Sequence, residues 1–96
     1  MGACRFSPRA RDDLSDIWDF TAARWGPAQA ERYLRQIQAA AAAVAADPLV
    51  GTSAEGIRPG YRKYPSGSHF LFYRPVEDRV EIIRILHARM DVPRHF

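Results

Sequence analysis

Apolar residues recur at three- and four-residue steps twice in the first half of the chain. Ala10, Leu14, Ile17, Trp18, Thr21 and Trp25 form one stripe, and Ala30, Tyr33, Leu34, Ile37, Ala41 and Val44 form a second. That spacing puts each set on one face of an amphipathic helix. Ser7-Pro8 supplies a helix start, a capping hydroxyl followed by a proline at the first helical position. Asp12 and Asp13 are expected in the opening turns, where carboxylates favour the positive end of the helix dipole. Gly26-Pro27 ends the first helix and begins the second, and Asp47-Pro48 ends the second. So short a link predicts an antiparallel hairpin of two helices. The alanine-rich run from Ala39 to Ala46 reads as the tail of the second helix, where small side chains allow close packing.

The pattern then changes. Val50 to Pro59 is loop-like, and three short segments rich in aromatic and β-branched residues follow. They predict strands at 60–64, 69–74 and 79–87, separated by Pro65-Ser66-Gly67 and by Pro75 to Asp78. Links this short make antiparallel neighbours. Ile82 and Ile83 are adjacent, and Ile85 and Leu86 follow. Either both faces of that strand are covered or a bulge shifts its phase. A strand at Ala3–Ser7 is expected at one edge of the sheet. The order β-α-α-β-β-β predicts an α+β fold, a helix hairpin packed on a mainly antiparallel sheet.

Composition narrows the class. The 96 residues support one domain spanning 1–96, with 47% hydrophobic and 26% charged residues, ordinary for a globular protein. The longest apolar run has eight residues against the roughly 20 a membrane span needs, and charges occupy the place of a signal peptide's apolar stretch. Cys4 is the only cysteine, which fits a reducing cytoplasm. Residues 1–47 are charge-balanced, so the net +3 lies wholly in residues 48–96. Thirteen of the fourteen basic residues are arginine, which grips carboxylates and phosphates with a two-pronged fork.

Candidate chemistry lies in the strands. Arg62, Lys63, Tyr64, His69, Tyr73, Arg74, Arg84, His87 and Arg89 fall within 28 positions. Such a set has the groups for metal-free RNA cleavage: a base, an acid and a cation for the phosphorane. A solvated strand face and hydrogen-bonded structural roles account for the same residues, and that reading is preferred. His69, His87 and His95 show no metal-ligand spacing, so no metal site is expected. No phosphate loop, dinucleotide fingerprint or nucleophile elbow is present. Asp12, Asp13, Asp16 and Asp19 read as a solvated helix face. Trp18, Trp25 and Tyr33 are expected mostly in the core, whereas Phe20 falls off the stripe and reads as a contact point if exposed.

Taken in order, Phe6-Ser7-Pro8-Arg9-Ala10, Asp13-Leu14, Ile17-Trp18, Trp25-Gly26, Gln29-Ala30, Tyr33, Asp47-Pro48, Gly51, Ile57-Arg58, Gly60-Tyr61-Arg62, His69, Tyr73-Arg74 and the run Ile82 to Asp91 resemble the ParE toxins of bacterial toxin–antitoxin systems, within the RelE/ParE superfamily. The alanine-rich end of the second helix and Thr52 to Glu55 depart from the family pattern. The resemblance implies a cytoplasmic toxin that forms a hetero-oligomer with a ParD-like antitoxin and acts on DNA gyrase, alone or with its DNA. It implies no cofactor, and no catalytic residue is assigned. RelE-type relatives instead cut messenger RNA on the ribosome. A single lysine and a modest charge favour the gyrase-binding class. Target contact is expected from Arg79, Arg84, Arg89, Arg94 and Phe96, in the basic closing segment. Antitoxin contact is expected from Leu14, Trp18, Trp25, Tyr33 and Ile37 along the helices and from Arg62 and Arg74.

Overall fold

In the computed structural model, which describes residues 3–90 and 92–96, two helices pack on one face of a five-stranded sheet. In chain order the elements are β1 (Ala3–Phe6), α1 (Pro8–Trp25), α2 (Pro27–Ala46), β2 (Thr52–Ser53), β3 (Arg62–Ser66), β4 (His69–Val76), β5 (Arg79–His87) and a short 3-10 helix, Val92–His95. The sheet order is β1-β5-β4-β3-β2. Only the β1–β5 pair is parallel. The expected β-α-α-β-β-β order is therefore present. The short β2 within the 50–59 loop is an addition, and the first strand lies at the edge beside β5.

Ser7 joins the first strand to the first helix. Its N–H donates to the Ile82 carbonyl at 2.9 Å, extending the β1–β5 pairing by one residue. Its hydroxyl accepts from Ala10 N at 3.0 Å as a helix cap and donates to the Ile83 carbonyl at 2.7 Å. Asp12 and Asp13 fall beyond the first turn, which holds no acidic residue, so the dipole role expected of them is not the one they serve. Gly26 caps one helix and opens the next with φ 93°, a left-handed backbone that disfavours any side chain.

Strand alternation sorts the side chains into two clusters. Leu71, Tyr73, Val80, Ile82 and Ile85 meet Ala10, Ile17, Ile37, Ala40, Ala41 and Val44 on the helix side. The alanines of α2 let that helix lie close to the sheet. On the other face, Phe72, Leu86 and Ala54 are buried beneath Ile57, Tyr61, Val92 and Phe96. The crowded apolar run of β5 is thus explained twice over. Both faces are covered, and the register slips between Phe72 and Tyr73, leaving Ile83 unopposed as a bulge.

Gly51 anchors the loop after α2. A Cβ there would lie 2.5 Å from the Lys63 carbonyl oxygen and 2.6 Å from the Tyr73 hydroxyl. That hydroxyl, fully buried, accepts from Gly51 N at 3.0 Å and donates to the Pro48 carbonyl at 2.8 Å. Arg62 reinforces the same loop through the carbonyls of Leu49 and Gly51.

Candidate functional site

His69 opens β4 and His87 closes β5, and the two are partners in the antiparallel register. Their rings meet edge to face with centroids 5.2 Å apart. Tyr33 of α2 reaches over the β3–β4 turn to join them. Gly67 makes room for it, since a Cβ at that position would fall 2.6 Å from the Tyr33 ring, and its φ of 58° suits glycine. The Tyr33 hydroxyl accepts from Ser68 N at 3.0 Å and lies 2.6 Å from His69 Nδ1 and 3.4 Å from the Ser66 carbonyl. The much shorter contact assigns the hydroxyl proton to His69 Nδ1. His87 Nδ1 accepts from Arg89 N at 3.1 Å. Each imidazole therefore has its Nδ1 engaged and its Nε2 left as the free polar atom.

Burial holds the His69 pKa below the ordinary imidazole value of 6.5, and the neighbouring His87 lowers it further against an opposing pull from Asp13. A depressed folded-state pKa means that the unfolded chain binds protons more readily. Stability from this group is then complete above about pH 6.5 and is lost as pH falls below it. The melting temperature is expected to drop between about pH 7 and about pH 5, and His69→Gln is expected to flatten that slope. Calorimetry across this range checks it.

Two adjoining hollows of about 430 Å³ each flank the histidine pair. Phe20, Thr21, His69 and His87 line both. The first is completed by Trp25, Gln29, Arg32, Tyr33 and Ser68, and the second by Asp16, Ile17, Arg89 and Met90. Phe20 is 62% exposed and Trp25 61%, large apolar surfaces left to solvent at the rim. Their rings meet edge to face, with the Arg24 guanidinium over both.

Asp13 is not on a solvated face. It is buried and receives two hydrogen bonds from Arg84, Nε to Oδ2 and Nη2 to Oδ1, both 2.8 Å. Its Oδ2 also accepts from Ile85 N at 2.9 Å. Beyond Ser7 the chain turns into α1 and no longer pairs with β5, and this carboxylate satisfies a strand donor that would otherwise be orphaned. Arg84 Nη1 in turn donates to the His95 carbonyl at 2.8 Å. One guanidinium thus ties α1, β5 and the closing 3-10 helix together. The hydrogen bonds to Asp13 raise the Arg84 pKa above its already high value and keep it charged.

A third, shallower hollow of about 370 Å³ is basic. Arg9, Arg58, Arg74 and Arg84 line it with Pro59, Tyr61, Ile83, His95 and Phe96. Arg74 is paired with Glu81 at 3.0 Å, and Arg58 donates to the Phe96 carbonyl at 3.3 Å.

These positions revise the expected contact set. Arg79, Arg89 and Arg94 are exposed, as target contacts must be, whereas Arg84 is locked to Asp13 and only 8% exposed. Phe96 is folded back, its ring 5.3 Å from Phe72 and 5.7 Å from Tyr61, so it covers the sheet rather than projecting from it. Along the helices Trp18 and Trp25 are exposed, against the expectation of core, and Leu14 and Tyr33 are half-buried. Ile37 is fully buried beneath α2 and has no surface to offer a partner. Arg74 is exposed, and Arg62 is spent on the loop carbonyls. The nine residues with nuclease-like chemistry fall into separate groups: His69, His87 and Arg89 meet at one hollow, Arg74 and Arg84 at another, and Arg62 and Tyr73 pair across β3 and β4 to brace the Gly51 loop. Asp91, in the closing motif, lies outside the described residues. Sequence reasoning missed Arg9, Arg32 and Asp13. No local signal marks them, because each acquires its role from residues far along the chain.

Comparison with known proteins accords with this architecture. A family model described as the ParE toxin of the type II toxin–antitoxin system parDE matches residues 4–92. Toxin ParE1 of Mycobacterium tuberculosis is 51% identical over 90 residues, covering 93% of this chain and 92% of that protein. Toxin ParE1 of Caulobacter vibrioides is 48% identical over 95 residues, covering 99% and 98%. A chain from the structure of the chromosomal ParDE TA system from P. aeruginosa superposes with a TM-score of 0.79 at 20% identity, covering 91% of this chain and 96% of that one, and shares its fold. With a family model matched over nearly its whole length and relatives about half identical to it, the chain belongs to the ParE toxin family of type II toxin–antitoxin systems.

Proposed function

We propose that this chain is a gyrase-directed toxin that acts in the cytoplasm by binding rather than by covalent chemistry, and that a ParD-like antitoxin neutralises it in a hetero-oligomer. The observation that carries the reading is the ParE family match across residues 4–92. The geometry supports the binding mode. The residues that suggested a nuclease are dispersed: Tyr73 is buried, Arg84 is neutralised by Asp13 and Arg62 braces a loop. What remains on the surface suits recognition. Arg79, Arg89 and Arg94 are exposed apart from the basic hollow lined by Arg9, Arg58 and Arg74, so cations are spread over the surface. Such a surface steers towards an acidic protein or the DNA held by it, with salt-sensitive affinity.

The antitoxin is assigned to the helix side. Trp18 and Trp25 are exposed there with Leu14 and Tyr33 half-buried beside them, and an amphipathic helix laid along α1 and α2 would cover all four. Co-expression with the product of the adjacent reading frame is expected to yield a complex that co-elutes at modest salt. Replacing Trp18 and Trp25 together by alanine is expected to weaken it at least about 100-fold, as loss of two large aromatic anchors does. Separate elution of the unaltered pair would overturn the assignment.

A further inference from the structure

We propose that the hollow between α1, α2 and the histidine pair is a binding site for a nucleoside phosphate, its phosphate held by His69, His87 and Arg32 and its base laid on Trp25. This reading stands apart from the gyrase proposal, although it shares Trp25 and Tyr33 with the antitoxin surface and the Arg89 backbone amide with the target surface.

Three features of the hollow point to this ligand. First, both imidazoles line it with Nδ1 already engaged, by the Tyr33 hydroxyl and by the Arg89 amide. Their remaining Nε2 groups are donors when the rings are neutral. Rings 5.2 Å apart suit two oxygens of one tetrahedral anion. Second, Arg32 lines the same hollow. Its Nε and Nη2 share the single Gln29 Oε1, and among the described residues no carboxylate pairs with the guanidinium. Third, Trp25 lines the same hollow and is largely exposed, a flat surface of the kind on which bases stack. About 430 Å³ lies within the range of small-ligand pockets and accommodates a mononucleotide.

The same features argue against the obvious alternatives. Among the described residues, no group of three or more His, Cys, Asp or Glu side chains is placed to hold a metal ion. An apolar ligand would leave two imidazole donors and an arginine without partners, a costly arrangement. Asp16 opposes an anion, but it lines the second hollow rather than the first. The charged and titratable groups around the pair are Asp13 and Asp16 from α1, Arg32 and Tyr33 from α2, and Arg89 after β5.

The test is titration of the full-length protein with adenosine monophosphate, adenosine and inorganic phosphate, followed by tryptophan fluorescence and by the His Cε1–H NMR signals. The monophosphate is expected to shift both His69 and His87 signals, and to bind at least about tenfold more tightly than adenosine. His69→Gln with His87→Gln should abolish binding, and Trp25→Ala should remove the fluorescence change and weaken the monophosphate but not inorganic phosphate. A 5′-phosphorylated thymidine tetranucleotide separates the sources. Tighter binding than thymidine monophosphate identifies a nucleic-acid strand, and equal binding identifies the free nucleotide. Histidine signals unmoved by the monophosphate at about 10 mM would overturn the proposal whether or not the double variant folds.

Discussion

Asp13→Ala is expected to destabilise the fold by about 3–5 kcal/mol, because it leaves the Arg84 guanidinium buried without its anion. The Ile85 amide loses its acceptor in the same step. A domain of this size has on the order of 5–10 kcal/mol in total, so the variant should be partly unfolded at physiological temperature. Replacing Asp13 by leucine and Arg84 by methionine together should recover the part of the loss that comes from the unpaired guanidinium, while the Ile85 amide stays without its acceptor. Urea unfolding of the two variants beside the parent checks this. A loss under about 1 kcal/mol for Asp13→Ala would show that water reaches Arg84 and that the clamp is dispensable.

Truncation after Met90 is expected to cost about 2–4 kcal/mol, the scale of removing a large aromatic from a packed position. The cut takes Phe96 off Phe72 and Tyr61, takes Val92 from the same cluster, and removes the carbonyl that Arg84 Nη1 contacts. Read from its charge alone, this segment looks like a free target-binding arm. Its packing instead makes it the cover of the second apolar face. Its melting temperature should fall by roughly 10 °C or more. A truncated protein that melts with the parent would return the segment to the role of a free arm.

The helices were legible because their cause is local. Apolar spacing and the Ser-Pro, Gly-Pro and Asp-Pro pairs bound them at Pro8, Trp25, Pro27 and Ala46. The strand ends were less so, and two prolines show why. Pro65 and Pro75 read as turn residues, yet both lie inside strands. Pro65 lies past the two residues of β3 that pair with β2, and Pro75 lies past the last β4 residue that pairs with β3. Each missing N–H therefore falls where no neighbour needs it. The β5 bulge was half visible, since adjacent Ile82 and Ile83 cannot both face one side of a regular strand.

The site was hidden for a different reason. Asp13 and Arg84 are 71 positions apart, and nothing near either marks a buried pair. Trp18 and Trp25 fit the apolar spacing, but they lie to one side of Ala10, Asp13, Ile17 and Thr21, the residues that α1 buries, so that flank stays in solvent. The histidines meet only because β4 and β5 pair in a register that the turn between them sets.

Gyrase supercoiling in the presence of the purified full-length chain tests the central claim most directly. Relaxed plasmid, gyrase and ATP are incubated with increasing toxin, and the products are resolved after detergent and protease treatment. The account predicts that supercoiling falls, that cleaved plasmid is trapped on the enzyme, and that prior addition of the antitoxin restores supercoiling. Undiminished supercoiling by a folded protein that instead cuts ribosome-bound messenger RNA would contradict it.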